Sequence, residues 1–297
     1  MQSSNPVFNR SEGFNGRGSQ QPYGNATYAG PGVSYPTYGG PTDTWQGGPG
    51  GQTGYVDQGR MTIDTVVQKT AITLGVVVVV AALTWLFTGD IRATDVDERN
   101  AALGLTYMLA MVGALGGFAL AMVNSFKRVV NPALVIGYAV LQGIFVGAFS
   151  KVIVAQFGGD DGGMSLVVGA VIGTFGAVGG TLAAYKFFDI QVTNRFRKWV
   201  IAAMFGFVAI SLLNFVMSFF GADFGFNGYG PMGLISSVVG LALGVLMLIL
   251  DFDFVERGIA AGLPERESWR AAFGLAVTII WIYIELLRIL AILRGND

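Results

Sequence analysis

The sequence predicts an all-α membrane protein with seven transmembrane helices behind a long polar N-terminal tail. Two observations carry the prediction. Of 297 residues, 53% are hydrophobic and only 12% charged, with a mean hydropathy of +0.57, whereas a soluble domain is about 25% charged. The apolar runs are confined to residues 61–297. Histidine and cysteine are both absent. That excludes disulfides, Cys/His zinc sites, His- or thiolate-ligated haem, and Ser-His-Asp or Cys-His catalysis. A net charge of −1 offers no basic excess for nucleic acid. Carboxylates, Lys, Arg, hydroxyls, amides and backbone remain, which favours ion handling or interaction over covalent chemistry. Neither an enzyme nor a cofactor is expected.

The first domain, residues 1–60, holds 14 of the 44 glycines, six of the nine prolines and five of the ten tyrosines. Such a segment buries too little apolar surface to offset its ordering entropy, so a disordered cytoplasmic tail is expected. Its spaced aromatics (Phe8, Phe14, Tyr23, Tyr28, Tyr35, Tyr38, Trp45 and Tyr55) suit either weak self-association or a plain tether. It does not read as a signal peptide, because the first apolar stretch begins near Thr70. Thr62 is a candidate N-cap for a short interfacial helix leading into the first span.

The second domain, residues 61–297, contains the spans. A helix needs about 20 predominantly apolar residues to cross the hydrocarbon core. Residues 70–88, 102–125, 132–154, 164–185, 199–220, 232–250 and 271–290 qualify. The first six contain one charge, Lys151, close enough to an end to snorkel. Trp85, Trp199 and Trp269 stand at span ends as interfacial anchors. The loops after spans two, four and six carry Lys127, Arg128, Lys186, Arg195, Arg197, Lys198, Arg257, Arg266 and Arg270; the others carry Arg92 and Arg99. This bias predicts a cytoplasmic N-terminus and an external C-terminus.

Spans two, four and six also end in similar aromatic, charged clusters at a period of roughly 60 residues, suggesting three helical hairpins plus a final helix. Gly113, Gly116, Gly117, Gly173, Gly176, Gly179 and Gly180 are candidates for close helix approach, or ordinary membrane-helix glycines.

The most informative stretch is Leu250-Asp251-Phe252-Asp253-Phe254-Val255-Glu256-Arg257. It puts three carboxylates at the end of span six, where the negative pole of the helix dipole disfavours anions. Groups so placed are candidates for titration near neutral pH; the plain alternative is a solvated acidic helix end. On a continuing helix, Asp251 and Asp253 point about 200° apart, so one is expected to face the bundle and the other lipid headgroups or water. Asp253 and Glu256 share a face. Glu285 and Arg288 lie one turn apart in span seven, either as a functional intramembrane pair or as a structural pair with Arg288 snorkelling outward. Asp160 and Asp161, in a Gly-rich loop, are loose cation attractors or simply loop. Asn124, Gln142, Asn214 and Thr278 either line a wet cavity or bond between helices.

Seven spans, Phe252-Asp253 closing span six, and a seventh span running from Trp281 through Glu285 and Arg288 to Leu290 resemble the Bax inhibitor/YccA family. The Gly/Pro/Tyr-rich tail looks like the actinobacterial branch. The resemblance covers about residues 61–292. It implies six helices around a central seventh, in a bacterial plasma membrane. It also implies a pH-modulated leak for calcium, with no bound metal. The family's gate is an aspartate pair, one ending span six and one within span seven, latched by a basic residue of span two. Carried over by residue, Asp253 is the span-six member and Thr278 stands where the second aspartate belongs. Asp251 or Glu256 would have to supply the missing carboxylate. Lys127 and Arg128 end span two as latch candidates. YccA-like members also bind a membrane-anchored ATP-dependent protease, so a non-transporting adaptor in the lipid bilayer is the competing expectation. Calcium takes six to eight oxygens, and no span gathers that many, so any permeation would be weak and transient. A rhomboid protease needs His, and a retinal protein needs a Lys in span seven, but no Lys follows Lys198.

Overall fold

A computed structural model describes residues 59–158, 163–188, 190–222 and 224–295. Among the described residues there are seven helices: α1 Ile63–Phe87, α2 Val96–Phe126, α3 Pro132–Phe157, α4 Met164–Phe187, α5 Asn194–Ser218, α6 Pro231–Ala260 and α7 Glu267–Gly295. Each is long and apolar enough to cross a membrane, since even the shortest, at 24 residues, extends roughly 36 Å at about 1.5 Å per residue. The chain is therefore a multi-pass membrane protein. The tail aromatics, Asp160 and Asp161 lie outside the described residues.

Helix starts follow capping chemistry. Thr62 caps α1 through a reciprocal box with Thr65, Asp95 caps α2, Asn131 caps α3 with Pro132 behind it, and Thr193 caps α5. The expected interfacial helix after Thr62 is not separate: it is the first turns of an unbroken α1. Helix α6 runs ten residues beyond the predicted end of its span, so all three carboxylates of the acidic stretch lie on helix.

Helix α7 is central. It packs against α1, α3, α4 and α6, whereas α2 rests on α3 and α5 on α6. Its long stretch of buried residues, including Ala272, Ala276, Ile282, Leu287 and Ala291, matches that position. Of the three expected hairpins, α5–α6 packs, α3–α4 touches lightly and α1–α2 does not pack, α1 lying instead along α3. The repeat reflects similar span ends, which say nothing about which neighbour a helix chooses.

Glycine sets the closest approaches. A Cβ on Gly113 would stand 2.6 Å from the Phe145 backbone nitrogen, and one on Gly147 would collide with the Ala81 carbonyl, so α2 and α1 both press backbone to backbone on α3. Gly117 faces the Gln142 side chain, Gly116 packs on Leu141 and Gly173 on Leu286. Gly176, Gly179 and Gly180 have nothing within 4 Å, so the candidate stripe on span four is only partly a packing surface.

Candidate functional site: the carboxylates of the α6–α7 seam

On α6, Asp251 and Asp253 lie on nearly opposite sides because two helical residues turn the direction by about 200°. Asp251 faces α7. Its Oδ2 accepts a 2.6 Å hydrogen bond from the Thr278 hydroxyl, and its Oδ1 lies over Gly274, one turn earlier. Asp253 does not face headgroups or water as expected of one of the pair: it is turned toward α5, whose Arg197 draws it in, and is 5% exposed. Its Oδ2 accepts from Arg197 at 2.6 Å and its Oδ1 from Arg257 at 2.8 Å. Arg257 also donates to the Val192 carbonyl, tying the α4–α5 connection to α6.

The pairing therefore differs from the one carried over from the family. Thr278 takes Asp251, and Asp253 belongs to an arginine clamp. Glu256 has the spacing to share a face with Asp253, yet it is exposed and accepts a 2.6 Å bond from the Tyr185 hydroxyl. The latch candidates contribute backbone only. Lys127 closes α2 through its N–H to the Val123 carbonyl, and the Arg128 carbonyl accepts from Arg270. The cations that reach the acidic stretch are Arg197 and Arg257, which sequence reasoning missed. The i,i+4 spacing of Asp253 and Arg257 was a readable signal for one of them; Arg197, 56 residues away, left none.

Further along the seam, Glu285 and Arg288 form an ion pair at 3.2 Å, with side chains 6% and 11% exposed. Gly240 makes room for the carboxylate: a Cβ there would stand 2.8 Å from Glu285 Oε1. The Gly240 carbonyl accepts from Trp281 Nε1 at 3.0 Å. Arg288 does not snorkel into water. It donates to the Phe226 and Gly228 carbonyls of the α5–α6 connection, which folds over it. Thr278, Trp281, Glu285 and Arg288 recur at steps of three and four, one stripe of α7 laid on the small residues of α6. Between the two carboxylates the seam is closed by Leu248 and Ile282, both 0% exposed.

Other intramembrane polar groups bond within their own helix or to an adjoining segment. Asn124 Nδ2 donates to the Leu134 carbonyl, Asn214 Oδ1 accepts from the Phe224 N–H, and Gln142 meets Tyr138. Buried Thr73, Thr84, Thr106, Thr174 and Thr181 each donate to the carbonyl four residues earlier. Lys151 does not snorkel either. It is 5% exposed, and its ammonium donates to the carbonyls of Trp85 and Gly89 and to the Thr88 hydroxyl, capping α1 from α3. Beside it opens a cavity of about 360 Å³ lined in part by Trp85, Asp90, Arg92 and Lys151. Among the described residues, no three carboxylates converge as a metal site would require.

Seven apolar helices, four of them packed on the central α7, with acidic groups set into its seam, define a polytopic membrane protein whose polar chemistry sits between helices. The family model described as "Bax inhibitor 1 like" matches residues 5–295, and the chain belongs to that family. The match is longer than the 61–292 over which the resemblance reads. A protein of Chlamydia muridarum (strain MoPn / Nigg), described as uncharacterized, is 28% identical over 163 residues, 53% of this chain and 63% of that protein. The chain thus spans less than two thirds of that relative's length.

Proposed function

We infer that the chain is a pH-modulated leak for calcium or another cation in a bacterial plasma membrane, held closed in this conformation, with Asp251 as the titrating group. One observation carries the reading: Asp251 grips α7 through a neutral donor, Thr278, while the nearby arginines are both spent on Asp253. Proton binding would replace a charge-assisted bond by a neutral one about half as strong. That loosens α6 on α7 at the basic end, so flux rises as pH falls. Asp253 is the strut that keeps α5 and α6 together meanwhile. Opening requires Leu248 and Ile282 to part, since they separate Asp251 from Glu285. The excess of Lys and Arg in the loops at the Asp251 end supports a cytoplasmic position for it.

The same closed seam favours a second reading, a non-transporting adaptor that modulates a membrane-anchored ATP-dependent protease, because an adaptor needs no polar path. Calcium entry into proteoliposomes, followed from mildly acidic to mildly alkaline pH, separates the two. Wild-type flux should rise with acid, Asp251→Asn should be flat, and Asp253→Asn should keep the slope. No flux above empty liposomes at any pH would leave the adaptor as the better account. A slope lost only in Asp253→Asn would return the sensor to that residue.

A further inference from the structure

We propose that the corner joining α4 to α5 is a docking site for anionic phospholipid headgroups, a role that does not depend on ion transport. The corner is anchored from below. Val192 is 6% exposed and packs with Ile249 and Leu250 of α6. Its carbonyl is held by Arg257, and Arg197 is committed to Asp253. With the backbone fixed, and Ile190 and Phe196 packed on the same cluster, the remaining basic side chains point outward. Lys186, Arg195 and Lys198 are exposed and form no ion pair or hydrogen bond among the described residues. By contrast, Lys69, Arg197, Arg257, Arg270 and Arg288 are held by carboxylate partners.

Between and beside these cations stand Phe187, Phe188 and Trp199, at 84%, 80% and 76% exposed. Rings at the ends of membrane helices occupy the headgroup level, and Lys or Arg beside them meets phosphate. Asp189, within the corner, lies outside the described residues; even counted as an anion, it leaves the cluster net positive. Helices α4 and α5 do not pack on each other, so the corner opens directly to the surrounding lipid. A soluble partner would have to cover three large apolar rings that a bilayer already solvates. The charge complement is therefore the phosphate of an anionic lipid in the same leaflet.

The test is native mass spectrometry of the full-length protein in detergent, titrated with phosphatidylglycerol or with phosphatidylcholine of the same acyl chains. The wild type should retain phosphatidylglycerol preferentially, and raising salt from about 0.15 M to about 1 M should erase the preference. Each cation removed should lower it about fivefold, so that Lys186→Gln/Arg195→Gln/Lys198→Gln no longer discriminates. The double variant Lys127→Gln/Arg128→Gln, at the same end of the bundle, should keep it. Equal retention of both lipids by the wild type, or an unchanged preference in the triple variant, overturns the proposal. So does an equal loss in the double variant, which would reduce the effect to net charge. Displacement of phosphatidylglycerol by inorganic phosphate alone would make the corner a free-anion site instead. The salt series on the wild type needs no variant to fold, and none of these readouts involves calcium flux.

Discussion

Removing Arg288 should be the most damaging single change in the α6–α7 seam. Arg288 and Glu285 are 11% and 6% exposed, so salt and water screen the pair little. The Glu285 carboxylate is pressed against the α6 backbone at Gly240 and has no room to turn toward water. Arg288→Met leaves it without its cation, and breaking a buried pair from one side costs about 3–5 kcal/mol. Glu285→Gln should cost less, because Arg288 keeps the Phe226 and Gly228 carbonyls at 3.3 Å. The double variant should be more stable than the sum of the singles predicts, with a coupling above about 1 kcal/mol. Equilibrium unfolding in mixed micelles, followed by tryptophan fluorescence, measures all three. A loss below about 1 kcal/mol for Arg288→Met, as for an exposed pair, would refute the reasoning. Strict additivity would do the same.

Two further outcomes follow from packing. Gly147→Ala should lower stability by about 1–3 kcal/mol, since the new methyl meets the Ala81 backbone rather than a movable side chain. Gly179→Ala meets nothing within 4 Å and should be neutral or gain up to about 1 kcal/mol of helix propensity; thermal unfolding of the two variants side by side should show opposite signs. Lys151→Met keeps the bulk but strips the α1 C-terminus of its cation, leaving the Gly89 carbonyl unpaired and the Trp85 carbonyl with only the Thr88 hydroxyl. A loss of about 2–4 kcal/mol should appear together with faster hydrogen exchange confined to the end of α1. Uniform exchange along α1 would contradict the capping role.

The seven spans, their approximate limits, the candidate end charges and the family were legible from the chain alone, because lipid imposes a one-dimensional rule. A segment either has about 20 apolar residues or it does not, and Thr62, Asp95, Asn131 and Thr193 cap helices through neighbours three or fewer residues away. The opposed directions of Asp251 and Asp253 were also readable, being a property of one helix. Which partner each would meet was not. Thr278 lies 27 residues from Asp251 and Arg197 lies 56 from Asp253, and only the packing of α5 and α7 on opposite flanks of α6 brings them together. The same holds for Lys151 and Arg288. Lys151 was expected to reach water, as was Arg288 in one of its two readings, because their spans end nearby, but each finds backbone carbonyls of another segment first. Composition and local geometry determined what must be buried. The tertiary structure decided which buried groups satisfy one another, because in a lipid-facing bundle a polar side chain takes whatever carbonyl or carboxylate the adjoining helix presents.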